Sequence, residues 1–343
     1  MSLGLELGTD AVRSLRLRGD RLIARNAPSR YCLLADAPQV RELLDKSGLA
    51  YAVCDGQIAL LGDAAVEADG LFGRPSLPLL PDGKVPAEDP PARQIIAALV
   101  ESLLPAPGAP GMICGLVLPG AADEDGGPDF LTHLIRLRGY TPAVVSAARA
   151  AALATLEGQR FTGLTLVMGS ASVEMSFVRA GRVVGATRID QGTDALDGDV
   201  AEREELYVYD AEGHRYRDEK TVRQSREEFA GTLTSPAGPR EKHIAGCYAG
   251  WIDTLLAEAS GEGPAGVTPE AVPLVCVGPP TQIPGFQPFL AGRIAETKLP
   301  VEVSQIRVAD ADLTLARGAL IHAELERAAA VSRTGGAGMT RVA

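Results

Sequence analysis

The chain has 343 residues, 46% hydrophobic and 22% charged, an ordinary globular composition with room for two medium domains. A formal net charge of −11 argues against nucleic acid and anionic lipid as partners. Apolar runs are broken by Gly, Pro or Arg before reaching bilayer length, and the opening MSLGLELGTD lacks the blocks of a secretion signal, so a cytoplasmic protein with no transmembrane segment is expected. Five cysteines, an odd count with no CxxC pair, read as buried reduced thiols. The four histidines show no second ligand at helical spacing, so no zinc site is expected.

Alternation of apolar residues over Leu3–Leu17 and Asp20–Arg25 predicts a strand–turn–strand unit, with a loop at Gly8-Thr9 and a turn at Gly19-Asp20. Its arginines, Arg13, Arg16, Arg18, Arg21 and Arg25, suit a solvated hairpin face. Residues 39–48 predict a short amphipathic helix closed by Gly48, and Ile58–Leu61 an edge strand. Six prolines between Arg74 and Pro91 predict a long crossing loop. Then come a helix over 92–104, a buried strand over 112–120, a helix over 129–138, a strand at 143–145 and an Ala-rich helix at 148–156.

The second half opens as the first does. Strands are expected over 163–169, 173–180 and 182–189, with turns at Gly169-Ser170 and Gly181, followed by a helix over 193–205. Residues 206–242 are the most charged stretch and contain a hairpin (207–218) turning at Glu212-Gly213. A helix over 244–259, with Tyr248 and Trp251 as core residues, precedes a Gly/Pro linker over 260–269. A strand over 273–278, a helix over 287–296, a strand over 301–306, a helix over 314–331 and a disordered tail over 332–343 complete the chain. Two halves that both begin with strand–turn–strand units point to a duplicated α/β architecture.

Glycine in a strand-end turn lets backbone N–H groups approach an anion. Such turns occur at Glu6-Leu7-Gly8-Thr9, at MGSAS (168–172) and at Val277-Gly278-Pro279-Pro280-Thr281. One from each half facing a shared cleft would grip a di- or triphosphate from both sides. Asp194 and Asp197 suit either the positive end of a helix or, for Asp194, a metal-facing role.

These motifs resemble those of the actin and DnaK-type superfamily. The first turn is similar to its phosphate-one loop, Gly169-Ser170-Ala171-Ser172 to its phosphate-two loop, and QGTDALD (191–197) to the element that follows phosphate two in bacterial actins. Arg317-Gly318-Ala319-Leu320 matches the second connecting helix. LLGDAAVEA (60–68), LPLLPDGKV (77–85) and ICGLVLPGAA (113–122) are similar to segments of MamK/MreB-like bacterial actins.

The resemblance implies an α/β actin-like fold of two ribonuclease-H-like domains, four subdomains and a nucleotide cleft. Domain I would span 1–155 with a small subdomain at about 28–90, and domain II 156–305 with one at about 200–245. A helix over 306–331 would return to domain I. It implies ATP with Mg²⁺ and self-association into filaments, with any cargo or adaptor protein unspecified. Phosphates would meet Gly8, Thr9, Gly169, Ser170 and Ser172, adenosine would meet Gly278 and Thr281, and the metal would meet Glu6 and Asp194. The departures fall where hydrolysis would occur. Ala147 and Val167 stand where the family has carboxylates, Asp10 stands where it has a small residue, and Pro279 and Pro280 replace glycines. The expected protein is a filament-forming bacterial actin that binds nucleotide weakly or not at all and hydrolyses it poorly. The alternatives are a non-polymerising adaptor of the same fold and an active ATPase.

Overall fold

The computed structural model describes residues 2–336 apart from 75, 87–88, 110, 121–128, 210–212, 261–270 and 311. Alternating apolar residues form an antiparallel meander of β1 (Leu3–Leu7), β2 (Ala11–Arg18) and β3 (Arg21–Pro28). A smaller sheet follows, built from β4 (Arg30–Ala35), α1 (Pro38–Ser47), β5 (Tyr51–Cys54), β6 (Gln57–Leu61), α2 (Asp63–Phe72) and β7 (Leu77–Pro78). Its order is β5-β6-β4-β7. The expected edge strand at Ile58–Leu61 is thus an interior strand, and Ile58, Ala59 and Leu60 are fully buried. Gly48 ends α1 at φ 71°, as the sequence indicated. The crossing loop is shorter than expected, because Leu77–Pro78 pairs with β4 and Pro81–Gly83 forms a helical turn.

The chain returns through α3 (Pro90–Leu103), β8 (Ile113–Val117), α4 (Asp129–Leu137), β9 (Thr141–Val144) and α5 (Ala147–Thr155). β8 and β9 add parallel to β1, giving the order β3-β2-β1-β8-β9. The second half repeats this with β10 (Gly163–Met168), β11 (Val173–Arg179) and β12 (Arg182–Ile189) as the meander. After α6 (Thr193–Arg203), the hairpin β13 (Tyr207–Tyr209) and β14 (Arg215–Arg217), α7 (Glu219–Glu227) and α8 (Pro239–Ala259) come β15 (Val272–Val277), α9 (Phe286–Glu296) and β16 (Val303–Val308). The order β12-β11-β10-β15-β16, with the same parallel and antiparallel pairings, makes the two sheets topological copies.

Several boundaries differ from expectation. α8 begins at Pro239, where proline suits a first helical turn, and β16 starts two residues late. The hairpin turn in part, the linker and residues 337–343 lie outside the described residues, whereas 332–336 continue the last helix, α10 (Thr314–Gly336), instead of beginning a disordered tail. Tyr248 and Trp251 are core residues whose rings pack at a tilt of 42°, and Tyr248 also meets Phe286 edge-on.

α5 and α10 join the two sheets. α10 packs on β1 and β8, and α5 packs on α10, β10 and β11. This approach requires residues without side chains. A Cβ on Gly4 would stand 2.1 Å from the Ala316 carbonyl oxygen, one on Gly115 1.9 Å from that of Ala319, and one on Gly318 1.9 Å from that of Ala150.

Candidate functional site between the two halves

Register fixes how the two strand-end turns correspond. Glu6 pairs with Arg13 and Val117 on its neighbouring strands, and Val167 pairs with Glu174 and Val277. Position by position, Gly8, Thr9 and Asp10 therefore correspond to Gly169, Ser170 and Ala171. Both turns close alike, with the Gly8 N–H donating to the Ala11 carbonyl at 3.0 Å and the Gly169 N–H donating to the Ser172 carbonyl at 2.9 Å.

The turns converge on one residue of the first half, and the space beside it is called the gap. A Cβ built on Gly83 would lie 3.7 Å from Thr9 Cγ2, 3.5 Å from Ala171 Cβ and 3.1 Å from Pro119 Cβ, so the tip of each turn flanks the same residue. Ser170 is buried, while Gly8, Thr9, Gly169 and Ser172 are half-buried. The second turn is anchored by α6, since the Thr193 N–H donates to the Gly169 carbonyl at 3.3 Å and the Asp194 N–H donates to that of Ser170 at 2.9 Å. Gly192 makes this contact possible, because a Cβ there would stand 2.4 Å from both carbonyl oxygens.

Across the gap runs a charged network. Arg223 on α7 donates to Asp10 at 2.7 Å and to Asp194 at 3.1 Å, and its Nε lies 3.8 Å from Asp197. Arg226, one turn further along α7, holds Asp197 through two bonds of 3.0 and 2.9 Å, with both groups buried. Burial raises the Asp194 carboxyl above its ordinary value, against the pull of Arg223 and Arg30. Burial and the like charge of Arg223 lower the Arg30 guanidinium, which donates to the Ser76 carbonyl at 3.0 Å. The sequence reading did not single out Arg223 or Arg226. The signal lay in matched spacings: two acids three residues apart on α6 and two arginines three residues apart on α7, each pair on one helix face.

Glu6 is buried, and its Oε1 accepts from Arg13 Nη1 at 3.1 Å, while Oε2 has no hydrogen-bond partner. Burial pushes its carboxyl up to about 7, with Arg13 opposing. Arg13 is therefore not part of a solvated hairpin face, since it lies 5% exposed inside the fold. Arg25 reaches across to the Ser102 carbonyl at 2.9 Å. Val167 packs against an apolar group including Ala148, Ala152 and Val277, and Ala147 packs beside Val117, Val145 and Ala319. Both positions where the resemblance implies carboxylates are thus half-buried hydrocarbon packed against apolar groups.

At the third turn, Gly278 has φ 112°, and a Cβ there would stand 1.9 Å from the Met168 carbonyl oxygen. Thr281 is buried, and its hydroxyl donates to the Gly278 carbonyl at 2.8 Å. Tyr248 hydroxyl donates to the Pro280 carbonyl at 3.1 Å. This turn is held by the fold's own bonds.

A triphosphate with Mg²⁺ does not fit the groups around the gap as they stand. Asp10 adds a negative charge at a turn tip, Arg223 is engaged with it, Glu6 is engaged with Arg13, and Val167 and Ala147 offer no oxygen.

The histidines are not all scattered. His243 and Cys247 lie four residues apart on α8, a helical spacing that the sequence reading overlooked, and they meet Asp199 of α6. His243 Nε2 is 2.8 Å from Asp199 and 4.0 Å from the Cys247 sulfur, while Arg203 sits 2.7 Å from Nδ1. An Arg donor on Nδ1 leaves Nε2 carrying the proton and directed at Asp199, which is a hydrogen-bonded arrangement complete without an ion. Cys247 and Cys54 are only partly buried, unlike Cys32, Cys114 and Cys276, and all five are free thiols.

Duplicated five-stranded sheets, each with a small insertion, joined by a helix pair and opening paired turns onto one gap, define the fold of the bacterial actins. It is similar to the solved MamK double helical filament, at 17% identity and TM-score 0.64, covering 94% of this chain and 98% of that one. It is also similar to MreB5 of Spiroplasma citri bound to AMPPNP (14% identity, TM-score 0.65) and to ADP (14% identity, TM-score 0.62), each covering 98% of both chains. No curated protein matches the sequence. Residues 1–323 match the Volactin family, and the chain belongs to that family. Among the described residues, no helix is long and apolar enough to cross a membrane.

Proposed function

We propose that this protein is a cytoskeletal actin homologue that assembles head-to-tail into filaments, binds nucleotide weakly or not at all, and hydrolyses it poorly. The observation that carries this reading is the pairing of an intact duplicated actin architecture with hydrocarbon at Ala147 and Val167. Loss of a general base or water-positioning group lowers rates by about 10² to 10⁴, and two such positions are apolar here. Self-association is supported by likeness to a protein solved as a double helical filament. Heterologous contacts whose rotation does not close generate such open polymers. The MreB5 neighbours hold ADP or AMPPNP, so the same cleft in this chain is the place to look for nucleotide. With hydrolysis poor, a nucleotide there would act on closure of the two halves as a conformational ligand.

Electron microscopy of the purified chain across a concentration series tests the assembly claim. Filaments above a threshold concentration are expected. A chain that stays monomeric at every concentration and salt tried would instead be an adaptor. Phosphate release at rates typical of bacterial actins would contradict the hydrolysis claim.

A further inference from the structure

We infer that Asp10 and Arg223 form an internal latch that takes the place of a cation–phosphate bridge between the two halves. The inference rests on the reading that the chain binds nucleotide weakly or not at all. The first turn carries a carboxylate where a small residue would leave room for phosphate. That carboxylate is held at 2.7 Å by a guanidinium 213 positions further along the chain, on α7 of the second half. The same guanidinium is held by Asp194 at the start of α6, whose backbone in turn anchors the second turn. One cation therefore connects the first turn to the element that fixes the second, as a metal ion with a polyphosphate would.

The charges around the gap are arranged for this role. Arg226 is committed to Asp197 by a bidentate, buried pair, which leaves Arg223 for Asp10 and Asp194. Two carboxylates facing each other across a cleft repel unless a cation lies between them, and here the cation is covalently part of the chain, so no ion has to be recruited. Arg223 and the Asp10 carboxylate are also the groups that an incoming polyphosphate would have to separate. Asp10 thus acts as an internal anion occupying the partner that a phosphate would use. A bidentate, planar donor such as arginine suits either acid.

The latch predicts a gain of function. Replacing the carboxylate by a small hydroxyl, Asp10→Ser, releases the Arg223 nitrogen that Asp10 holds, while Asp194 keeps the guanidinium in place, and so offers that nitrogen to an anionic ligand of the polyphosphate class. Breaking the latch from the other side, Arg223→Gln, loosens the first turn without creating an anion site.

Two measurements on the full-length protein test it. Titration calorimetry with inorganic pyrophosphate should show Asp10→Ser binding at least tenfold tighter than the unaltered chain, with the gain lost in the Asp10→Ser, Arg223→Gln double variant. Hydrogen exchange of the 8–12 turn should accelerate at least tenfold in Arg223→Gln, with Arg223→Lys intermediate, while exchange in β15 is unchanged and so reports an intact fold. No gain in pyrophosphate affinity, or no change of exchange at the turn in a folded Arg223→Gln chain, overturns the latch. Pelleting of the unaltered chain with and without ATP separates the two claims. Equal assembly with a failed latch leaves the proposed function standing, and strictly ATP-dependent assembly removes the proposed function whatever the variants show.

Discussion

Replacing Glu6 by glutamine should abolish one component of the protein's pH-dependent stability. The Glu6 carboxyl lies in the interior, paired through one oxygen to Arg13 and with the other oxygen unpartnered. Its folded value of about 7 stands above the ordinary 4.5. The folded chain therefore keeps a proton that the unfolded chain releases, and stability that is fully present below pH 4.5 is lost as pH rises through 7. At about 1.4 kcal/mol per pH unit, that shift amounts to about 3 kcal/mol across the window. Glutamine has the same shape, retains an oxygen for Arg13 and never ionises. Urea denaturation followed by far-ultraviolet circular dichroism, at intervals from pH 4.5 to 8, measures the difference between the two proteins. Contributions from Asp194 and Glu219, which burial also raises, cancel in that difference. The two chains should be nearly equal at the acid end, with the glutamine variant more stable by about 3 kcal/mol at pH 8. Stability curves that run parallel over the whole range would refute the reasoning.

The joint between the halves yields a second expectation. Gly115→Ala places a methyl carbon 1.9 Å from the Ala319 carbonyl, so α10 must shift, at a cost of about 1–3 kcal/mol or more, read as a lowered Tm. Asp197→Asn leaves Arg226 buried without its carboxylate, and a loss of about 3–5 kcal/mol in urea denaturation is expected. Burial pushes the Cys276 thiol up to about 12 and raises Cys114 as well, so neither should react with iodoacetamide at pH 8 until the chain is unfolded. Rapid native alkylation of either would show that the central sheets open.

Much of the fold was legible because its period-2 meanders and period-3.6 helices are strongly written. Leu3, Leu5 and Leu7 alternate with Gly4 and Glu6, and the second half repeats the pattern at Leu164, Leu166 and Met168. The duplication was therefore visible in order and spacing. Less legible was the small sheet. Ile58–Leu61 looks like an edge because its own run is short, and only pairing with both β4 and β5 places it inside. The N-terminal turns of α8 were missed because residues 239–243 are mostly charged and polar, and only Gly238-Pro239 marks the start.

The site divides similarly. The glycine turns were visible as local signals, and their facing each other around Gly83 follows from the duplicated topology. Arg13 defeated the reading because an arginine on a charged hairpin gives no local sign of burial, and its partner Glu6 lies on the neighbouring strand. Arg223 was invisible for a related reason, since its partners are about 30 and 213 positions away and meet it only through tertiary packing. The carboxylate at Asp10 was recognised as a departure, but its compensating cation came from the structure.

The central claim is that the chain's own side chains hold the cleft, so that assembly does not depend on a nucleotide. It is tested most directly by the critical concentration for filament formation, measured by sedimentation in nucleotide-free buffer with chelator and again with saturating ATP and Mg²⁺. The account predicts the same critical concentration within about twofold in both buffers, a free-energy difference below about 0.5 kcal/mol. Assembly only in the presence of ATP, or a critical concentration lowered tenfold or more by it, would contradict it.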